Sequence, residues 1–299
     1  MESRQYSFGA APSNVDLRDF TFKGDMALPT LAPQKGGDRY EPEDIEDQHR
    51  VGICTAISLT QNARKALGMK LSADFQYLLQ KKYHDGNWRE GSSARSALHI
   101  AKTYGMLPEQ YWTFTTEADR KLGYARYIAK LQAIPKEEIE RLLKIAADYK
   151  LAGYAQVPID RNKLFDAIDQ SQAGIIVRFV VGCEWYTAPI EPLRRAQNPI
   201  SGHLITMCNY DGMSYRLANS WGDDWASKGT AYSNLTTYQP TEAWIPYYNA
   251  LPPSIEEQKK KLLTLQGELV ALIQKLIAML NLQKGGLMSR IARATGFSL

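Results

Sequence analysis

With 299 residues, 44% of them apolar, the chain can bury a substantial core, which excludes disorder along its whole length. Its 36 basic and 32 acidic residues leave a net charge of +4, too evenly balanced for a nucleic-acid or membrane-surface protein. Three cysteines with no CxxC pair exclude a disulfide scaffold, and favour a cytoplasmic or other reducing compartment.

The first residues lack a positive patch followed by an apolar run, so no secretory signal is expected. Residues 1–47, with Pro12, Pro29, Pro33, Pro42 and Gly36–Gly37, read as an extended lead-in running over a surface. The first periodic stretch follows. Ala56, Leu59, Ala63, Ala66 and Leu67 recur at helical spacing from Cys54, and Gly68 supplies a left-handed stop. A second helix carries Ala94, Ala97, Leu98, Ala101 and Tyr104, with Ser92 or Ser93 as its cap and Gly105 and Pro108 after it. Together with residues 71–83 these predict a mainly helical lobe over about 48–130.

After Pro135, Ile139, Leu142, Leu143, Ala146 and Tyr149 form an amphipathic stripe, and Asp160 caps a short helix carrying Leu164, Phe165 and Ile168. Beyond Gly174 the pattern changes to short runs rich in β-branched and aromatic residues, IIVRFVV, HLITMCNY, SYRLANS and GTAYSNL. These are expected strands of a β-rich, barrel-like lobe over about 131–250. In 251–299, Leu262, Leu265, Leu269, Leu272, Leu276 and Met279 step by three and four, and Ile273, Ile277 and Leu280 widen the stripe. Two readings stand for 254–282: self-association as a coiled coil, or packing on the same chain. No apolar run is long enough for a membrane span, and Lys284, Arg290 and Arg293 lie beyond the stripe.

Cys54 sits where a loop becomes a helix, six residues after Gln48. Unpaired N–H groups and the positive end of the helix dipole there favour a thiolate. A thiol nucleophile needs a base that also protonates the leaving amine, and His203 in GHLITMCNY can be that base. An imidazole also needs a fixed tautomer and orientation, which the side-chain amide of Asn219 can give it. Nothing in the pattern calls for a metal or a cofactor. His49, His84 and His99 read as surface or packing residues, and Cys183 and Cys208 as reduced core residues in strand-like runs.

These residues resemble those of the papain-like cysteine peptidases. Gln48 matches the oxyanion-hole glutamine, Cys54 the nucleophile, His203 the catalytic histidine, and Asn219 the asparagine of an Asn-Ser-Trp-Gly motif that is intact as Asn219, Ser220, Trp221 and Gly222. The resemblance spans about Asp16 to Tyr248. It implies an α+β, two-lobe fold and thiol-dependent hydrolysis of a protein or peptide substrate, and leaves the extra C-terminal helix unaccounted for. It also implies that Trp221 shields the His203–Asn219 bond, and that Gly91, or Ser92 one register away, pairs with the substrate backbone.

The departures are concentrated beside the nucleophile. Only Gly52 and Cys54 survive of the family's usual residues there, with Val51, Ile53 and Thr55 replacing the others. Val51 removes one half of a disulfide familiar in the family, and Arg89 or Trp88 stands near the other half. The family's long helical prosegment has no counterpart, since fewer than 50 residues precede Gln48. A second function class is a catalytically silent or gated protein of this fold that assembles through its C-terminal helix. A third is another acyl-transfer enzyme, a transglutaminase or cell-wall amidase, which requires neither the Gln48 spacing nor Asn-Ser-Trp-Gly.

Overall fold

The computed structural model describes residues 6–17, 19–23, 44–186, 192–249, 264–269, 271–273 and 275–276. The proline- and glycine-rich stretch 24–43 lies outside them, as do Leu262, Ile277, Met279, Leu280, Lys284, Arg290 and Arg293. The chain divides into two compact units, Met1–Leu251 and Pro252–Leu299. In the second, 264–269, 271–273 and 275–276 are helical, and Leu265, Leu269, Leu272, Ile273 and Leu276 are exposed. No helix among the described residues is long and apolar enough to cross a membrane.

The first unit is built around α1 (Cys54–Leu67), which Gly68 ends in a left-handed conformation, its N–H bonded to Arg64 O at 2.8 Å. Buried residues occupy more than one face of α1, including Thr55, Ser58, Thr60, Gln61 and Asn62. The reason is its place between the helical layer and the sheet, and its polar side chains therefore bond across to both. Thr55 Oγ1 donates to Gln80 Oε1 at 2.9 Å, Ser58 Oγ to Leu204 O at 2.6 Å, and Asn62 Nδ2 to Ala173 O at 2.9 Å.

On one side lie α2 (Ala73–Leu79), which runs into a π-helical turn over Gln80–Asp85, and α3 (Ala94–Thr103), capped by the Ser93 hydroxyl on Ser96 N. Next come α4 (Glu117–Lys121), α5 (Tyr124–Gln132) and α6 (Lys136–Ala146). Val51, Ile57, Phe75, Tyr127, Leu131, Ile139 and Leu142 share one apolar core.

The other side is a six-stranded antiparallel sheet. Its strands are β3 (Leu151–Gln156), β4 (Ile175–Val181), β5 (Ser201–Asp211), β6 (Ser214–Ala218), β7 (Thr230–Asn234) and β8 (Glu242–Tyr248), in spatial order β3-β8-β4-β5-β6-β7. A helix, α7 (Arg161–Gln170), follows β3, with Asp160 accepting from Asn162 N and Lys163 N. Among the described residues β3 and β7 are the two edges and do not pair, so the β-rich lobe is an open sheet and not a closed barrel. Beyond these, a two-residue strand near the N-terminus, β1 (Ala10–Ala11), pairs in parallel with β2 (Ser92–Ser93).

Candidate active site

Cys54 is the first residue of α1 and is fully buried. Its thiol is bonded to backbone groups of Leu204, Gly9 and Thr55. Leu204 follows His203 on β5, and the bond from Ser58 Oγ to its carbonyl locks that strand against α1. The nucleophile candidate and the imidazole candidate are thus brought to facing elements.

His203 Nε2 lies 2.6 Å from Asn219 Oδ1. An amide oxygen accepts, so Nε2 carries the proton and Nδ1 keeps its lone pair. Nδ1 is buried and has no hydrogen-bond partner. Asn219 is fixed in turn: its N–H donates to Gly229 O at 2.9 Å, and its carbonyl accepts from Gln61 Nε2 of α1 at 3.1 Å. Trp221 is fully buried and stacks on the imidazole, centroids 4.8 Å apart at 28°. It covers the ring from water, which strengthens the amide bond beneath it.

Gln48 is also buried, and Ser220 holds it at both ends. Gln48 N donates to Ser220 O at 2.9 Å, and the Ser220 hydroxyl donates to Gln48 Oε1 at 2.6 Å. The amide oxygen is thereby occupied, leaving Nε2 as the outward donor. The intact Ser220 therefore has a role that reading the motif for its asparagine and tryptophan did not reveal.

That donor already has an acceptor in the chain itself. Gln48 Nε2 donates to the carbonyl of Ser7, and residues 6–13 of the lead-in lie along the cleft. Tyr6 stacks on Trp221 at 4.7 Å and 9°, and the Phe8 ring meets His203 edge-on at 5.9 Å. Ser92 N donates to Gly9 O at 2.7 Å, and Arg178 Nε to Ala10 O at 2.9 Å. Gly91, with φ of +86°, bonds through its N–H to Tyr77 OH and through its carbonyl to Lys81 Nζ. Gly9 passes so close to the loop before Cys54 that a Cβ there would stand 2.1 Å from Gly52 O. Farther along, Arg95 pairs with Asp16 and Asp19. The sequence signal was slight: the run Gly9-Ala10-Ala11 between Phe8 and Pro12, small enough to thread a narrow groove.

The covered cleft reverses the electrostatic expectation drawn from the helix start. Burial, partly offset by the backbone bonds, pushes the Cys54 thiol up to about 11. Burial likewise pushes His203 down to about 4 against the pull of Asn219. Desolvation disfavours charge on both groups, so in this state they rest as neutral thiol and neutral imidazole.

All three cysteines are thiols outside any disulfide. Cys208 is buried in β5, its Sγ donating to Arg216 O at 3.5 Å, whereas Cys183 is exposed on a 3-10 turn rather than in the expected strand. Beside Val51 the connection is polar: Glu90 Oε1 accepts from Gly52 N at 2.7 Å, joining the loop before Cys54 to the segment that carries Gly91. Among the histidines, His49 bonds Asp47 and Glu117, and the His84 and His99 rings lie 5.3 Å apart.

No family model matches the chain, and no curated protein does. Solved structures do. Xylellain, a cysteine protease from Xylella fastidiosa, is 20% identical with a TM-score of 0.65, over 84% of this chain and 99% of that one. A digestive procathepsin L 3 of Tenebrio molitor larval midgut is 17% identical at 0.54, over 82% and 76%. The ragweed pollen allergen Amb a 11, a cysteine protease in its proform, is 14% identical at 0.51, over 76% and 68%. Helical layer, open antiparallel sheet and central helix together make this the papain-like cysteine protease fold.

Proposed function

We propose that the chain is a thiol-dependent endopeptidase that acts through Cys54, with a protein or peptide as substrate. The observation that carries the reading is the His203–Asn219 bond at 2.6 Å beneath Trp221, which leaves Nδ1 as an unpartnered base on a strand bonded to α1. His203 takes the thiol proton as Cys54 attacks the scissile carbonyl, and returns it to the departing amine. Gln48 Nε2 and the Cys54 backbone N–H donate to the oxyanion, where fixed donors stabilise the charge that develops. A water deprotonated by His203 then attacks the acyl-enzyme and frees the thiol. Substrate backbone pairs along Gly91 and Ser92, the wall that the lead-in now occupies, and Trp221 borders the opposite end of that path. On this reading the lead-in is a gate on an enzyme, and a silent binding protein is not required. Replacing Cys54 by Ala should abolish peptide hydrolysis while Cys183→Ala leaves it intact; equal rates in the two variants would end the reading.

The C-terminal unit is read as a self-association element over 254–282. The support is the exposure of Leu265, Leu269, Leu272, Ile273 and Leu276, which share a helical stripe. Truncating the chain after Pro253 should lower the mass measured by light scattering at micromolar concentration. An unchanged mass would assign that stripe to something other than a second copy.

A further inference from the structure

We propose that Arg120 of α4 is a positioning residue for the oxyanion donor Gln48, acting through the two residues that precede it. The inference rests on the peptidase reading above.

Arg120 comes from a charged stretch of helix-forming sequence with no evident link to the cleft, yet its side chain is only 4% exposed. Its Nη2 lies 2.6 Å from Glu46 Oε1 and 2.9 Å from Asp74 Oδ1, and Nε donates to Asp74 at 3.0 Å. Its Nη1 donates to the backbone carbonyl of Asp47 at 3.1 Å. Burial works against the guanidinium's charge, but Asp74 and Glu46 outweigh it and its pKa goes up. The group is therefore a fixed cation. Asp74 is itself anchored in the helical core by Thr115 Oγ1 at 2.7 Å and Tyr127 OH at 2.8 Å.

The same short helix also holds the residue after Gln48. Glu117 Oε1 lies 2.7 Å from His49 Nε2, and His49 keeps a φ of +48° with its N–H on Asp47 Oδ1 at 2.7 Å. Thus α4 grips both sides of Gln48, while Ser220 fixes the side chain between them. The helix is in turn stiffened by a capping box in which Thr116 N donates to Asp119 Oδ2 at 2.8 Å. A planar fork that reaches two carboxylates and a carbonyl at once fixes direction as well as charge, which lysine's single ammonium cannot do. An oxyanion donor must stand within a few tenths of an ångström of its target, so the anchor of its backbone matters to the transition state more than to substrate binding.

The test is a double-mutant cycle in the full chain, with and without Gly9→Val to clear the cleft. Gln48→Ala is expected to lower kcat about 10²-fold. Arg120→Lys should lower kcat about tenfold with KM changed less than about twofold, and that loss should shrink to under about twofold on a Gln48→Ala background. Glu46→Gln, which spares the Arg120–Asp74 pair, should reproduce a smaller loss without lowering Tm, so that a folding defect at Arg120 does not blunt the test. An Arg120 effect that multiplies undiminished with Gln48→Ala, or that falls on KM or Tm alone, overturns the proposal while leaving the peptidase reading intact. Absence of Cys54-dependent hydrolysis in both the parent and the Gly9→Val chain overturns both.

Discussion

Clearing residues 6–13 from the cleft is expected to raise kcat/KM on a peptide about a hundredfold, because apparent affinity scales with the fraction of molecules whose site is open. The lead-in is held by backbone bonds from Ser92 and Arg178, by the Gln48 amide and by the stack of Tyr6 on Trp221. Such a gain requires a closed state favoured over the open one by roughly 3 kcal/mol. That corresponds to about two decades of occlusion. Deletion of residues 1–13 also removes buried Tyr6 and Ala10, so a point change is the cleaner tool. Gly9→Val leaves the length intact and drives a side chain into Gly52 O, expelling the segment by a clash of backbone against Cβ. Equal kcat/KM in the parent, the deletion and Gly9→Val would mean that the segment does not compete with substrate.

The Phe8 ring set against His203 makes opening sensitive to acid. Covered His203 holds its pKa near 4, whereas a rehydrated imidazole returns toward 6.5. Between those values the open state binds a proton that the closed state refuses, so a falling pH favours opening by about 1.4 kcal/mol per unit and the effect vanishes above 6.5. Hydrogen exchange at residues 6–13, corrected for intrinsic rates, should therefore quicken as pH falls from 6.5 to 4. It should do so much less in His203→Gln. Exchange independent of pH in that window would detach the segment from the imidazole.

What the sequence made legible were features carried by spacing. Cys54 begins α1 and Gly68 ends it, Ser93 and Asp160 cap where polar residues precede apolar periodicity, and four of the six sheet strands followed from β-branched runs. The strands Leu151–Gln156 and Glu242–Tyr248 were not distinguished, since LAGYAQ and EAWIPYY lack clean alternation: every residue of the second is buried, which erases the polar face that signals a strand. Whether the sheet closes was not legible, because strand number and composition do not say whether the edges meet. At the site, the pairing of His203 with Asn219 was readable because a short motif carries it. The grip of α4 on Gln48 was not, because it joins Arg120 to Glu46 across the fold, and a buried arginine in a charged stretch reads as solvated. The raised Cys54 pKa was unreadable for a similar reason. A helix start favours the thiolate, but the desolvation that wins here comes from burial in the folded chain, which spacing around Cys54 does not announce.

Cys54→Ala is expected to lower kcat in the Gly9→Val chain by on the order of 10⁶, the scale on which a nucleophile and its base act as one unit. The three thiols differ in ways that make the result specific. Cys208 is buried within β5 with its Sγ turned to Arg216 O, and Cys183 is exposed on a turn. Only Cys54 combines a helix start with an imidazole whose far nitrogen is already committed to Asn219. Alkylation should report the same distinction through an inversion of order. In the parent, Cys183 should react first, because Cys54 is covered and its thiol stays protonated until pH approaches about 11. With Gly9→Val, water and the proton-accepting Nδ1 reach the thiol, its pKa falls toward or below the ordinary value, and Cys54 should overtake Cys183 at neutral pH. Loss of hydrolysis should then track modification of Cys54 one for one. Hydrolysis that survives Cys54→Ala, or that is lost in step with Cys183 instead, would place the chemistry elsewhere. An order that Gly9→Val leaves unchanged would show that the lead-in is not what keeps the thiol silent.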